Sequence, residues 1–287
     1  MFSRSLFTAV LVLLYLATGP VSSASAAEEA TPPLHLVAGT ELIADIARDL
    51  LDGQVTILSL IPAASCPGHH DIRAQDIAFI SRADVLIMHH WQQKLPGVTQ
   101  AVDAANNPKL ASFVTPNFGS WLVPENQKKA TLAVAAFLAT LPGVDASTIE
   151  QKTQERLARI ESLALGLQGK LAPYANTPAL AADMQAELTA WTGMDVVATY
   201  GRAEDIPPSL LIQLVEEGRK RQVQLVVDNM QSGAEAGKPL ARELGAAHVA
   251  LSNFPMFSPE IPTYERLLAR NCGQILAALE AKTRAGQ

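Results

Sequence analysis

The segment CPGHH, from Cys66 to His70, places one thiol and two imidazoles side by side in a chain that has only 2 Cys and 6 His. Thiolate sulfur and imidazole nitrogen are typical ligands of zinc and related transition metals. Gly68 precedes His69, and a residue without a Cβ lets another group approach the backbone closely. The segment is therefore a candidate metal-binding loop, although an ordinary solvated loop has the same composition.

Other polar residues stand where predicted strands end. His89 ends the predicted strand 85–89, Asp183 and Gln185 follow the strand 179–182, and Asp228 follows the strand 223–227. Ligands of open parallel sheets bind outside the carboxyl ends of the strands. Four candidate donors, two from each half of the chain, would then converge on one cleft: His69, His89, Gln185 and Asp228. Less specific roles stay open, since His89 can be a buried hydrogen-bonded residue and Asp228 can cap the next turn.

The elements that must position these residues alternate between apolar strands and amphipathic helices. One long apolar stripe, beginning at Ile149 and ending at Leu171, predicts a helix of about 25 residues that stops before Pro173. Its start has capping-box spacing at Ser147 and Glu150. We predict an α/β protein of two lobes, each a mostly parallel sheet flanked by helices, joined by this helix. The lobes span residues 34–145 and 174–287, and the joining helix spans residues 146–173.

The first residues have the pattern of a secretory signal peptide. Arg4 precedes a short apolar run, and small residues follow up to a cleavage site predicted near Ala26. Residues 1–26 would therefore direct export of the chain. The chain contains 22 Lys and Arg against 28 Asp and Glu, and this acidic balance argues against nucleic acid or an anionic membrane as partner.

Sequence patterns of common catalytic sites are missing. The chain has no nucleophile elbow, phosphate-binding loop, H-E-x-x-H or C-x-x-C pattern. We therefore expect a binding protein rather than an enzyme. An exported α/β enzyme that uses His69 and Asp228 as acid and base is the competing hypothesis.

Several segments together resemble the zinc and manganese solute-binding proteins of bacterial ABC importers. The resemblance runs from about Leu34 to Leu279, and its most informative segments are CPGHHDIRAQD, WLVPENQKKA and VQLVVDNMQSGAEAGKPL. It implies that a divalent transition metal, zinc or manganese, is captured between the lobes and delivered to an ABC permease. It also implies a rigid joining helix, and we expect the protein to act as a monomer.

The chain departs from the pattern of that family at two ligand positions. Gly119 stands where the resemblance expects a second His, and Gln185 stands where it expects His or Glu. His69 is the residue that transfers directly, and the fourth, acidic ligand falls near Asp228 or Gln231. We therefore predict a rebuilt site of His69, His89, Gln185 and Asp228, with Cys66 as an alternative to His89. The departures also favour a second hypothesis, a receptor of the same fold for a metal chelate or a small organic ligand.

Overall fold

The computed structural model describes residues 33–256 and 258–285, so the predicted signal peptide lies outside the described residues. Within these ranges the chain forms two four-stranded sheets. The strands are β1 Leu34–Thr40, β2 Val55–Ile61, β3 Val85–His89, β4 Ala111–Thr115, β5 Pro178–Ala182, β6 Asp195–Tyr200, β7 Leu225–Asn229 and β8 Ala247–Leu251. The α-helices are α1 Glu41–Leu50, α2 Ala74–Ile80, α3 Pro96–Ala105, α4 Pro124–Leu138, α5 Ala146–Leu171, α6 Ala186–Trp191, α7 Pro208–Arg221, α8 Met230–Gly233, α9 Lys238–Leu244 and α10 Tyr264–Ala285.

Both sheets are parallel and have the same topology. The first has the order β2-β1-β3-β4 and the second the order β6-β5-β7-β8. The two central strands are β1 and β3 in the first sheet and β5 and β7 in the second. They are largely buried on both faces. This explains why these strands contain consecutive apolar residues rather than an alternation of apolar and polar ones. The predicted fold class, two parallel sheets flanked by helices, is confirmed.

The long helix α5 connects the two lobes. Its buried face carries Ile149, Ile160, Leu167 and Leu171, and it packs against α1 and α4 of the first lobe and α10 of the second. One apolar core consequently contains residues of both sheets. The capping-box prediction was wrong in its details, because the N-cap is Asp145, whose carboxylate accepts from the backbone N–H of Ser147 and Thr148.

A buried ion pair also connects these helices. Arg156 of α5 is 1% exposed and donates to Asp45 at 2.6 Å and to Asp49 at 2.9 Å, both on α1. Arg159, one turn further along α5, pairs with Asp49 and with Glu265 of α10. The joining helix is therefore attached to both lobes by charge as well as by apolar packing.

The helices α3 and α4 were not predicted from the sequence. Both begin with a proline in their first turn, a position where proline is well tolerated because its missing N–H would have no helical partner. The alanine-rich sequence of α4 gives a weak apolar stripe, so its periodicity did not stand out. Among the described residues, no helix is both long enough and apolar enough to cross a bilayer.

Candidate functional site

A cleft of about 880 Å³ lies between the carboxyl ends of the two sheets. The first lobe contributes His89 from the end of β3 and Trp121 from the loop before α4, and the second contributes Arg202, Asn229 and Asn253 from the loops and ends of its strands. Both sheets are parallel, so the carboxyl ends of their strands lie at one edge of each sheet. The position of the cleft is the one that the strand-end rule predicts.

The Cys66–His69 loop forms part of one wall of the cleft and contacts the opposite lobe. Arg202, two residues after β6, donates through Nη2 to Cys66 Sγ at 2.8 Å. Its Nη1 lies 2.9 Å from Nε2 and 3.1 Å from Nδ1 of the His69 ring. A Cβ added at Gly68 would stand 3.1 Å from the same guanidinium. Gly68 thus does permit a close approach, and the group that approaches is an arginine.

His89 is a buried residue that also faces the cleft. Its Nε2 is 2.8 Å from Thr40 Oγ1, and its ring packs against Trp121 and Trp91 with centroids 4.2 and 5.4 Å apart. Burial, with the neighbouring His90 acting in the same direction, lowers the pKa of His89 to about 3. The imidazole is therefore neutral at physiological pH, the state in which it can bind a metal.

The backbone around His89 is set by a buried glutamine. Gln92 accepts from the His89 backbone N–H and donates to the Gly39 carbonyl, both at 2.9 Å. A Cβ at Gly39 would stand 1.9 Å from Gln92 Oε1, so glycine is required there. This bridge connects the ends of β1 and β3 and holds His89 in position.

Gln185 lies behind the cleft rather than on its surface. It is fully buried, and its Nε2 donates to Asn253 Oδ1 at 2.7 Å. Its Oε1 has no hydrogen-bond partner among the described residues. Because Asn253 lines the cleft, Gln185 supports a lining residue instead of reaching the space itself.

Asp228 is turned away from the cleft and has its carboxylate saturated by the second lobe. Its oxygens accept from Tyr200 Oη at 2.7 Å, from the Gly237 N–H at 2.9 Å and from His248 Nε2 at 2.6 Å. Side chains alternate along a strand, and the next residue, Asn229, is the one that lines the cleft. Asp228 therefore fixes Tyr200, a wall residue, in place.

Two further hydrogen bonds join the lobes across the cleft. Glu187 of α6 accepts from the Ser120 backbone N–H at 2.9 Å, and Gln231 donates to the Ala63 carbonyl at 2.9 Å. Glu187 fills the space next to Gly119, where an added Cβ would stand 2.9 Å from Glu187 Oε2. Gly119 also has φ +79°, a conformation that disfavours other residues.

The structure therefore brings only part of the predicted set to the cleft. His89 lines it and His69 contacts the lining residue Arg202, whereas Gln185 and Asp228 are directed into the second lobe. His69 does reach across the cleft, and its partner is Arg202 rather than Asp228. Within residues 33–256 and 258–285, no three His, Cys, Asp or Glu side chains are grouped so that they could hold a metal ion.

Arg202 and Glu187 are the cleft residues that sequence reasoning missed. Arg202 follows β6 by two positions, so the strand-end rule that selected Asp228 would also have selected it. Its cationic side chain does not fit a cation-binding hypothesis. Glu187 lies within a helix and carries no comparable sequence signal.

The two cysteines are not paired with each other. Cys66 is partly exposed at the cleft, and Cys272 is buried in α10. Burial raises the pKa of the Cys272 thiol to about 12, so it is unreactive at neutral pH. Cys66 is the thiol that remains available to a ligand.

Two parallel-sheet lobes that enclose a cleft and share a long helix define a two-lobe solute-binding fold. The profile of the family described as zinc-uptake complex component A, periplasmic (ZnuA) matches residues 36–278. The chain belongs to this family. The comparison with curated protein sequences gave no match.

Solved structures share this fold at low sequence identity. The Mn-bound periplasmic metal binding protein of Candidatus Liberibacter asiaticus superposes with a TM-score of 0.72 at 15% identity, covering 86% of this chain and 99% of the other. Its Cd-bound form gives a TM-score of 0.71 at 15% identity, with the same coverage of 86% and 99%. A crystal structure of ZnuA gives 0.72 at 17% identity, again covering 86% and 99%.

Family membership confirms the resemblance seen in the sequence. The family is a periplasmic component of a metal-uptake system, which agrees with the prediction of a binding protein rather than an enzyme. The shared fold shows that this chain keeps the two-lobe architecture of these structures.

Proposed function

We propose that this protein captures a divalent transition metal, zinc or manganese, in the cleft and delivers it to an ABC permease. The observation that carries the proposal is the match of the zinc-uptake family across residues 36–278, which includes both lobes and the joining helix. The metal is cargo, so the site needs affinity without catalytic groups. The predicted leader, residues 1–26, would place the protein in the periplasm.

The donors that we propose, Cys66, His69 and His89, differ from the set predicted from sequence. Because no three such side chains are grouped around one point in the described ranges, these donors would have to approach one another when the metal binds. Cys66 and His69 lie on one loop at the cleft wall and share contacts with one guanidinium. His89 supplies a neutral imidazole within a rigid aromatic setting. Asp228 and Gln185 act indirectly in this proposal, since they hold Tyr200 and Asn253 in the opposite wall.

Metal binding is tested by titrating apoprotein with zinc and with manganese in a calorimeter. His69→Ala should weaken the tighter ion by about tenfold or more, because even a residue that only supports a ligand is worth that much. His35→Ala is the matched control: His35 is the second residue of β1 and contacts Asp84, outside the cleft. Equal dissociation constants for the wild type and His69→Ala would remove His69 from the site.

Delivery to a permease is tested in the source cell. Deletion of the gene should lower the cell content of zinc or manganese when the metal is scarce. The full chain should restore the content, and a chain lacking residues 1–26 should not. Restoration by the leaderless chain would contradict a periplasmic role.

A further inference from the structure

Arg202 has no anionic partner although it stands in a concave site. Its guanidinium contacts a thiol and an imidazole, and it forms no ion pair with any carboxylate in the described part of the chain. Arginine stays charged at every physiological pH and offers a planar fork that fits a carboxylate. A half-buried arginine without a carboxylate partner is therefore a candidate anion-binding group.

The rest of the cleft is not basic. Asp183, Glu187 and Asp205 of the second lobe line the same space. A bare dication would meet the guanidinium beside Cys66 and His69, and a purely anionic ligand would meet three carboxylates. A ligand with both a positive centre and a carboxylate matches the two kinds of wall.

The size and lining of the cleft also fit an organic group. A volume of about 880 Å³ falls in the range of small-molecule sites, roughly 300 to 1,000 Å³. Trp91, Trp121 and Phe254 supply apolar area, and Asn117 and Asn253 supply amide hydrogen bonds. A single dehydrated ion would leave nearly all of this space and these groups unused.

We propose that the cargo enters the cleft as a complex of the metal with a small polycarboxylate. A free carboxylate of the complex pairs with Arg202, which releases Cys66 and His69 from the guanidinium so that they can face the metal. Arg202 thus selects the complexed metal over the bare ion. This inference rests on the proposed function and names the chemical form of the cargo.

The test compares three titrants in calorimetry at one salt concentration: zinc alone, citrate alone and zinc with excess citrate. Citrate lowers the free zinc concentration, so a bare-ion site would show weaker apparent binding in its presence. We expect the opposite, binding of zinc–citrate at least about tenfold tighter than binding of zinc alone. Arg202→Gln should weaken zinc–citrate by roughly 10- to 100-fold, the effect of losing a hydrogen bond to a charged group.

Arg219→Gln is the matched control, because it removes the same charge from the second lobe at an exposed position of α7. Arg202→Lys keeps the charge but loses the fork, and should fall between the wild type and Arg202→Gln. Melting temperatures of all variants show whether the fold is retained.

The outcomes separate the two proposals. Apparent zinc binding that falls with citrate in proportion to the lost free ion would overturn the inference and leave the proposed function intact. Citrate alone binding as tightly as zinc–citrate would overturn the requirement for metal in the complex. No binding of zinc in either form, with the same result for manganese, would overturn the proposed function and the inference together.

Discussion

Arg202→Ala should strengthen the binding of uncomplexed zinc, the reverse of its effect on a carboxylate complex. Arg202 Nη2 lies 2.8 Å from Cys66 Sγ, and a zinc–thiolate bond is about 2.3 Å long. A zinc ion on Cys66 would thus lie within roughly 5 Å of the guanidinium. At that separation, a charge of +2 repels a charge of +1 by about 2 kcal/mol in water and by about 7 kcal/mol at an effective dielectric constant of about 20.

The cleft is open and Arg202 is only partly buried, so the lower value is the appropriate one. Removing about 2 kcal/mol of repulsion tightens binding roughly 30-fold. The assay is a competition titration with a chelator of known zinc affinity, run at low ionic strength. Repeating it at about 1 M salt should shrink the difference, since screening shortens the range of the repulsion to about 3 Å.

Arg202→Lys serves as the control for this prediction because it retains the positive charge. It should keep the weak zinc affinity of the wild type, while Arg202→Ala and Arg202→Gln both gain affinity. Unchanged or weaker zinc binding in Arg202→Ala would refute the reasoning, since it would mean that the guanidinium leaves the site at no cost when the ion arrives.

Three further predictions concern stability and the altered ligand position. Asp45→Ala removes one carboxylate partner of the buried Arg156 and should lower the free energy of unfolding by about 3 to 5 kcal/mol. The melting temperature should then fall by roughly 6 to 20 °C. A fall of less than about 2 °C would contradict this prediction. The folded-state pKa of His89, about 3, lies below its unfolded value of about 6.5. The contribution of the neutral imidazole to the free energy of unfolding is therefore complete above pH 6.5 and is lost as the pH falls toward 3. In urea titrations, the loss of stability between about pH 6.5 and 4.5 should be smaller in His89→Gln by up to about 3 kcal/mol, and an identical pH slope would count against it. Gly119→His should not create a metal ligand, because φ at this position is +79° and the new Cβ would meet Glu187 at 2.9 Å. We expect a lower melting temperature and no gain in zinc affinity. Tighter zinc binding by the variant would contradict this prediction and show that the loop can rearrange.

The fold was largely predictable because its elements have strong local signals. The buried strands β1, β3 and β7 are five to seven residues long and contain consecutive apolar residues, and α5 carries a mainly apolar helical stripe. These signals depend only on neighbours in the chain, and the parallel arrangement follows from strands that alternate with helices. The weak stripe of α4 shows the limit of this reasoning.

The position of the candidate site was predictable from the sequence, but the side chains that face it were not. Strand ends indicated the edge of the sheet at which His89, Asn229 and Arg202 lie, since that rule follows from parallel topology. They did not indicate which of two adjacent side chains would face the cleft, as Asp228 and Asn229 show. A shift of one position along a strand turns a side chain to the other face, and nothing in the local sequence distinguishes the two.

The amino-acid order therefore determines most of the helices and strands, their parallel pairing and the presence of a thiol and imidazoles near a cleft. What only the folded chain decides is which groups meet across that cleft. Arg202 and His69 are 133 positions apart, and their contact depends on how two separately formed lobes pack around α5. Contacts of this kind arise from the summed packing of many residues, and no pattern of neighbouring residues encodes them.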